Sequence, residues 1–290
     1  MALDASTREL LLLAFARRRG ILETLTTDAG TPEAVAEATD TDPSVAEAVT
    51  TALADRGFLE RVGREYEPTN RLLGFLTKTD VRSIGSLPAT LDALDAWTDH
   101  DTDPERTRVN RLGEQWARDE HAVRAAVTAA VHAAPTAERV VCLRDGPGRH
   151  ASEFATRGYD ATILESTARG DTVAPLLAPT EVRLEIGGYD TMPQTDLAFA
   201  VGMLARSDDD RARRWLAAAG EAAPTVVCIE PVRDRSPEGA LLDVEHHLRD
   251  GGRVRPESAL RSLFADVGLD CSVTAVPGTE GVALVGRRVQ

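Results

Sequence analysis

Lysine is almost absent from this chain of 290 residues, since Lys78 is the single lysine among 33 basic side chains. Acidic side chains number 47, which leaves a formal net charge of −14. Surface carboxylates hold water and cations, whereas lysine would add a long apolar stem. This bias predicts a protein that works in multimolar salt, from a salt-loving archaeal or bacterial source. In such a cell the charge describes solubility, not function.

Long apolar runs are also missing. The longest, Leu10 to Ala16, is far shorter than the ~20 residues that a membrane-spanning helix requires. The cluster Arg17-Arg18-Arg19 follows this run, whereas a secretory signal carries its positive charge ahead of the apolar segment. We therefore expect a cytoplasmic protein without a membrane partner.

Cysteine is scarce, and the three thiols of Cys142, Cys228 and Cys271 form no C-x-x-C pair. The odd number and the scattered positions argue against a disulfide framework and against a cysteine-based zinc site. Cys142 and Cys228 lie in apolar, strand-like runs, so we expect buried structural thiols there. No metal site is predicted.

The first part of the chain has clear start signals for helices. Thr31-Pro32 and Asp42-Pro43 each place a capping residue before a proline at the first helical position. Two short strands follow, Phe58 to Val62 and Glu65 to Thr69. Helix, turn, helix and hairpin in this order predict a winged helix, which we assign to residues 1–80.

The second helix of that module is where a DNA-reading protein carries its base contacts. Between Pro43 and Asp55 it offers carboxylates and no cation, the first being Arg56. Acidic side chains repel phosphates, so we expect no specific DNA binding. The apolar string Leu10 to Phe15 predicts that the module instead forms a symmetric homodimer.

Residues 81–135 are predicted as a helical bridge, in which Arg111 to Ala134 has the pattern of one long Ala-rich helix. From Arg139 onward strands and helices alternate. That order predicts an α/β fold, a Rossmann-like domain over residues 136–290 with a mostly parallel sheet.

A glycine turn and an acidic residue identify the candidate ligand site. Gly146-Pro147-Gly148 follows the first strand, and ligands of such sheets bind beyond the carboxyl ends of the strands. Glycine lets the backbone approach a ligand closely. Glu165 ends the second strand about 20 residues on, where a carboxylate accepts hydrogen bonds from both hydroxyls of a ribose. The alternative is an ordinary tight turn with a solvated glutamate.

Three segments resemble the S-adenosylmethionine-dependent small-molecule O-methyltransferases that carry an N-terminal winged-helix dimerisation domain. RVVCLRDGPGRHASEFATRGYDATILE is similar to their cofactor loop and second strand, and DLAFAVGMLARSDDDRARRWLAAAGEA to their catalytic segment. VVCIEPV with LLDVEHHLRDGGRVRPESALRSLFADVGL resembles the late strand, the substrate lining and the last helix. The resemblance covers the chain from about Gly20 onward. It implies S-adenosylmethionine as cofactor, held by Gly146, Gly148 and Glu165, with Asp190 near the adenine, and a small-molecule acceptor.

The cofactor loop departs from the family's pattern at two positions. Cys142 stands where the family has an acid, and Arg144 where the first glycine of its D-x-G-x-G-x-G loop falls. The guanidinium of Arg144 either fills the pocket near the methionyl end of the cofactor or pairs with the carboxylate of that end.

The position of the general base also differs from the family's pattern, because Ala205 stands where the family has its catalytic histidine. His246 and His247 are the candidate catalytic residues, since they lie in the segment that resembles the substrate lining. Adjacent helical residues point about 100° apart, so at most one of them faces a pocket. We expect His150, at the start of the helix after the glycine turn, to be a capping or surface residue.

Three hypotheses remain open at this point. The chain is a methyltransferase for a small molecule, or a catalytically inactive relative that binds a ligand or a partner. The third possibility is a winged-helix transcription regulator with a sensory Rossmann domain. The first is our leading hypothesis. The altered loop and the missing histidine support the second, whereas the acidic recognition helix opposes the third.

Overall fold

A computed structural model describes residues 4–27, 30–76, 80–98 and 100–288. The chain divides into two compact units, Met1–Glu114 and Gln115–Gln290. This division falls inside the segment predicted as a bridge, residues 81–135.

The N-terminal unit is built mainly from short helices. Its elements are α1 (Ala5–Arg18), α2 (Ile21–Thr27), α3 (Pro32–Thr39), α4 (Pro43–Asp55), β1 (Leu59–Val62), β2 (Glu65–Pro68), α5 (Asn70–Leu76), α6 (Val81–Ile84), α7 (Leu87–Trp97) and α8 (Pro104–Trp116).

Capping interactions fix the starts of α3 and α4. The Thr31 hydroxyl accepts a hydrogen bond from the Ala34 amide at 3.2 Å, and the Asp42 carboxylate accepts one from the Ser44 amide at 2.9 Å. Strands β1 and β2 pair antiparallel as a hairpin. The predicted order of helix, turn, helix and hairpin is therefore present, although α2 was not predicted.

The arginine cluster at the end of α1 is structural. Arg17 forms ion pairs with Asp92, at 3.1 Å, and with Asp95, which also accepts from Arg18 at 2.8 Å. Both aspartates are buried on α7, so the pairs hold α1 against α7. On α1, the side chains of Leu11 and Phe15 are 45% and 37% exposed.

The bridge contains a helix break that the sequence pattern does not reveal. The prediction of one helix from Arg111 to Ala134 is wrong, because α8 ends at Trp116 and α9 (Glu120–Ala133) begins four residues later. The Asp119 carboxylate caps α9 by accepting a hydrogen bond from the Ala122 amide at 3.0 Å. A capping aspartate inside an Ala-rich stretch starts a new helix.

The C-terminal unit is an α/β domain around a seven-stranded sheet. Its further elements are β3 (Arg139–Leu143), α10 (Arg149–Thr156), β4 (Asp160–Glu165), α11 (Thr167–Leu177), β5 (Arg183–Ile186), a 3₁₀ turn (Tyr189–Thr191), β6 (Leu197–Val201), α12 (Asp209–Ala222), β7 (Thr225–Glu230), α13 (Gly239–Asp250), α14 (Glu257–Asp266), β8 (Leu269–Ala275) and β9 (Val282–Arg288).

The strand order places the candidate site. It is β5-β4-β3-β6-β7-β9-β8, and the five strands from β5 to β7 are parallel. Strand β9 runs antiparallel to β7 and to β8, so the sheet is mostly parallel, as predicted, and β8 and β9 close it as a hairpin. Strands β3 and β6 are neighbours in the sheet, although β4 and β5 lie between them in the chain. The chain reverses its winding there, and ligands bind at such switch points.

The three cysteines all lie on strands of the sheet. Cys142, Cys228 and Cys271 are free and buried. Burial raises the pKa of Cys142 and Cys228 well above its ordinary value and that of Cys271 to about 11. Cys142 and Cys228 are therefore structural thiols, as predicted. Among the described helices, none is long and apolar enough to cross a membrane.

Candidate functional site

A cleft opens where the carboxyl ends of β3 and β6 diverge. It is narrow, with a cavity volume of about 10 Å³, which is room for about one water molecule. We name it the arginine cleft, from the charged side chains that line it, which are Arg118, Arg144, Arg149, Arg206, Asp145 and His150.

Arg144 has an unusual backbone and a free head group. Its φ of +50° lies in the left-handed region that favours glycine. The guanidinium lies over the Tyr189 ring, 5.3 Å from the ring centre. No hydrogen bond from this guanidinium to a described residue is present. The residue therefore keeps the backbone of the glycine that the resemblance places here, and adds a cation.

The two glycines of the turn have different surroundings. Both have positive φ, +62° at Gly146 and +81° at Gly148. A Cβ at Gly148 would collide with the Leu177 side chain and lie 3.1 Å from Cδ1 of Ile163. Gly148 is thus required for close packing inside the domain, whatever ligand the turn holds.

Glu165 is the last residue of β4 and is fully buried. Its Oε1 accepts hydrogen bonds from the Ser166 amide at 2.8 Å and from the Ser166 hydroxyl at 3.2 Å. Its Oε2 accepts none, and the Arg169 Nε lies 3.8 Å from it. Buried carboxylate oxygens normally have hydrogen-bond partners, so this one is an acceptor without a donor.

The turn that carries Asp190 lies beside these residues. Asp190 is exposed, and its carboxylate folds back over the Gly188 backbone. The neighbouring Tyr189 has a buried hydroxyl with no hydrogen-bond partner. Since Arg144 lies over Tyr189 and its amide donates to the Leu164 carbonyl, the structure brings the predicted cofactor residues to one edge of the sheet.

A buried histidine–aspartate pair borders the cleft. His150 Nδ1 donates to the Asp145 carboxylate at 2.5 Å, and the other carboxylate oxygen accepts from the Ala151 amide at 2.9 Å. The ring lies 5.6 Å from that of Phe199. His150 is only 3% exposed, so the prediction of a surface position is wrong. Nε2 has no hydrogen bond to the described residues, which leaves it available for proton transfer.

Two buried side chains, Glu230 and Arg255, form hydrogen bonds to the turn after β6, and we call this pair the clamp. Glu230 accepts hydrogen bonds from the Leu204 and Ala205 amides at 2.8 and 3.0 Å. Burial raises the pKa of Glu230 above its ordinary value, although those amides oppose the shift. Arg255, 3% exposed, donates to the Leu204 carbonyl at 2.7 Å and to Asp209. The clamp fixes the backbone around Ala205, which has no side chain for proton transfer.

The predicted catalytic histidines lie elsewhere. His247 is exposed on α13, and His246 is half-buried with Nδ1 at 3.4 Å from the Asp250 carboxylate. Neither lines the arginine cleft. Their catalytic role stays a prediction, while sequence reasoning missed Asp145, Glu230 and Arg255. The signal for Asp145 was an acid placed directly before Gly146, five residues ahead of His150.

Metal binding has no obvious site. In the described part of the chain, no group of three or more His, Cys, Asp or Glu side chains is arranged to hold an ion.

Comparisons with known proteins find similar folds among solved structures. No family model and no curated protein matches the sequence. Mitomycin 7-O-methyltransferase is 18% identical over 98% of this chain and 95% of its own, with a TM-score of 0.64. Human N-acetylserotonin methyltransferase with S-adenosylmethionine is 16% identical over 100% and 99%, with a TM-score of 0.61. An O-methyltransferase from neocarzinostatin biosynthesis, with S-adenosylhomocysteine and 1,4-dihydroxy-2-naphthoic acid, is 17% identical over 99% and 97%, with a TM-score of 0.62. The chain therefore has the fold of these methyltransferases along its whole length, a helical domain followed by a Rossmann-like domain.

Proposed function

We propose that the protein is an S-adenosylmethionine-dependent methyltransferase that acts on a small molecule. The observation that carries this proposal is the buried Oε2 of Glu165 at the end of β4, which accepts no hydrogen bond from the described residues. A ribose hydroxyl would supply the hydrogen bond that this oxygen lacks. The fold supports the same ligand, because two of the similar structures contain S-adenosylmethionine or S-adenosylhomocysteine.

Other residues at this edge fit the cofactor. Gly146 offers a backbone without a Cβ, and Tyr189 and Met192 offer apolar surface that is only partly buried. The free hydroxyl of Tyr189 adds a second polar atom without a partner. Asp190 remains our candidate beside the adenine. When bound, the cofactor supplies an electrophilic methyl group, and the protein contributes mainly by positioning.

His150 is our candidate for the proton of the acceptor. Asp145 holds Nδ1 in its protonated form, so Nε2 is the basic nitrogen, and a carboxylate orients the ring as in known acid–base pairs. His246 and His247 remain the alternative from the resemblance.

Titration with S-adenosylhomocysteine tests the cofactor assignment. Glu165→Ala removes the acceptor for the ribose and should weaken binding at least ~10-fold, the equivalent of ~1.5 kcal/mol for a charge-assisted hydrogen bond. Glu185→Ala is the matched control, because Glu185 is an exposed carboxylate on β5. Equal affinity in the two variants would contradict the proposal.

A catalytically inactive ligand-binding protein is the second candidate. Ala205 favours it, since the fixed turn after β6 offers no base. The cations of the arginine cleft favour it too, because they oppose a positively charged sulfonium. Transfer of labelled methyl groups to a panel of phenols and hydroxynaphthoic acids separates the two candidates. Binding of S-adenosylhomocysteine without any transfer would favour the second.

The N-terminal unit is proposed to form a homodimer through α1. Leu11 and Phe15 are large apolar side chains that stay exposed on this helix. Its α4 has no cation, which disfavours a DNA-binding regulator. Light scattering of the full chain in concentrated KCl tests the dimer, and Leu11→Glu should shift it toward the monomer. A monomeric unmodified protein would rule the dimer out.

A further inference from the structure

A groove within the C-terminal unit is far larger than the arginine cleft. It lies between α9 and the hairpin of β8 and β9, and we name it the hairpin groove. Its cavity volume is about 560 Å³, against about 10 Å³ for the arginine cleft. Protein interiors are close-packed, so a gap of this size between a helix and the sheet beneath it is uncommon. Sites for small molecules have volumes of ~300–1,000 Å³, and the hairpin groove falls in that range.

Small side chains on both walls leave this space open. Helix α9 packs on β7 and β9, and the wall that it contributes consists of Ala125, Thr128, Ala129, His132 and Ala133. Ala283 and Val285 of β9 are buried and form the floor, whereas Ser272 and Thr274 of β8 are exposed and form the opposite wall. Side chains alternate along a strand, so the other face of β8 is the one that packs against α14. The groove face of the hairpin is therefore free to receive a ligand.

The groove is elongated, and its two ends lie at opposite edges of the sheet. On α9 the lining runs from Ala125 to Ala133, a distance of ~12 Å at the helical rise. Ala275 lies beside the turn of the hairpin, and Arg287 lies at its open end. Arg287 also pairs with Thr225, the first residue of β7. Its end of the groove is thus at the amino edge of the parallel strands, opposite the edge that carries the candidate functional site.

The positive charge of the lining lies at this amino-edge end. Arg287 donates from Nη2 to the Ala133 carbonyl at 2.6 Å, and a carbonyl orients a guanidinium without neutralising it. His132 lies beside Ala133 on the same wall. Asp270 is the cross-strand neighbour of Arg287, but no ion pair joins the two in the described structure. The lining itself contains no Asp or Glu within the described residues, although the chain has 47 acidic side chains. The groove therefore combines apolar walls with one cationic end.

We propose that the hairpin groove binds a small amphipathic anion, an organic acid with an apolar body. The apolar body lies against Ala129 and Val285, where it is removed from water. The acid group lies at Arg287, because a guanidinium offers several N–H donors to an acidic oxygen pair. This site goes beyond methyl transfer and does not depend on it, since the cofactor residues lie at the other edge of the sheet.

Titration of the full chain with the dye anilinonaphthalene sulfonate, at fixed KCl, tests the groove. The dye has an apolar body and an acid group, and its fluorescence rises in apolar surroundings. We expect saturable binding that decanoate displaces. Ala129→Trp fills the middle of the groove and should weaken dye binding at least ~10-fold, because the apolar body loses its buried surface. Ala174→Trp is the matched control, since it places the same indole on the exposed side of α11.

Decanol tests the acid end, because it has the same carbon chain without a charge. The preference for decanoate over decanol should fall at least ~10-fold in Arg287→Gln, as expected for a lost charge-assisted hydrogen bond. Arg183→Gln should keep this preference, since it removes an equal charge from an exposed ion pair on β5. Glu165→Ala should leave dye binding unchanged, which keeps the result separate from that of the proposed cofactor site.

The proposal is wrong if the unmodified protein does not bind the dye, or if Ala129→Trp and Ala174→Trp bind it equally. The dye would then lie on apolar surface elsewhere. A change of oligomeric state in Ala129→Trp, measured by light scattering, would also overturn it and make the groove a contact between copies. Thermal unfolding checks that the variants fold, and Thr274→Trp on the opposite wall replaces Ala129→Trp if the latter does not. An unchanged preference for decanoate in Arg287→Gln would contradict the position of the acid group.

Discussion

The two halves of the carboxyl edge of the sheet differ in how completely the hydrogen bonds of their charged side chains are satisfied. Beside β6 and β7, Glu230 and Arg255 have their hydrogen bonds completed by the turn between them. Beside β3 and β4, one buried oxygen of Glu165 and the Arg144 guanidinium have no hydrogen-bond partner among the described residues. The completed hydrogen bonds hold the turn after β6 in place. We expect incomplete ones where a ligand completes them, so the β3–β4 half is our proposed ligand side.

Removing Arg255 should give the largest loss of stability. Its guanidinium is buried and donates to three carbonyls and to Asp209. Arg255→Ala should lower the free energy of unfolding by at least ~2 kcal/mol, because it leaves buried carbonyls of the turn without their donor. Denaturant unfolding at fixed KCl measures this, and Arg253→Ala, an exposed neighbour, is the control. A loss no larger than that of the control would remove the distinction between the two halves.

Glu230 should give the clamped half a pH dependence of defined sign. Burial raises its pKa above the ordinary value of 4.5, so the folded chain holds this proton more tightly than the unfolded chain. Its contribution to stability is therefore complete below pH 4.5 and is lost as the pH rises through the raised pKa. Unfolding curves over this pH range should have a shallower decline in Glu230→Gln. An equal slope in both proteins would contradict the assignment.

Glu165 should matter to ligand binding and little to the fold. Glu165→Gln keeps an oxygen for the Ser166 amide and removes a buried charge with an incomplete hydrogen-bond set. We expect the free energy of unfolding without ligand to change by less than ~1 kcal/mol. The thermal shift produced by S-adenosylhomocysteine should nevertheless shrink. A large loss of stability without ligand would place Glu165 with the clamp instead.

Local signals in the sequence were enough for most of the fold. Thr31-Pro32 and Asp42-Pro43 announce α3 and α4, and the glycine turn with Glu165 places the edge where the candidate site lies. These features depend on residues a few positions apart. Strand β5 was not predicted, because it is a short, largely exposed edge strand without an apolar pattern.

The chemistry inside the site depended on distant residues. Arg255 reaches the Leu204 carbonyl across 51 positions, and Glu230 reaches the Leu204 amide across 26. No periodicity encodes such pairs, because they arise from the strand order. The resemblance pointed to His246 and His247, yet α13 leaves both outside the arginine cleft.

Arg144 offers the smallest and sharpest test of the comparison. A non-glycine residue at positive φ costs roughly 1–2 kcal/mol of stability, which a change to glycine would recover. Part of that gain is lost again, because glycine has more conformational freedom in the unfolded chain. Arg144→Gly should thus raise the free energy of unfolding by less than about 1 kcal/mol. Asp40→Gly is the matched control, since Asp40 has a φ of +49° at the end of α3 and no ligand role.

The two glycine variants should separate in binding, not in stability. If Arg144 fills the cofactor pocket, Arg144→Gly should strengthen binding of S-adenosylhomocysteine, because it restores the family's glycine and frees space, whereas Asp40→Gly should leave that binding unchanged. If it pairs with the carboxylate, the change weakens that binding. A clear loss of stability in Arg144→Gly would mean that the side chain supports the fold, and the two halves of the edge would no longer differ in kind.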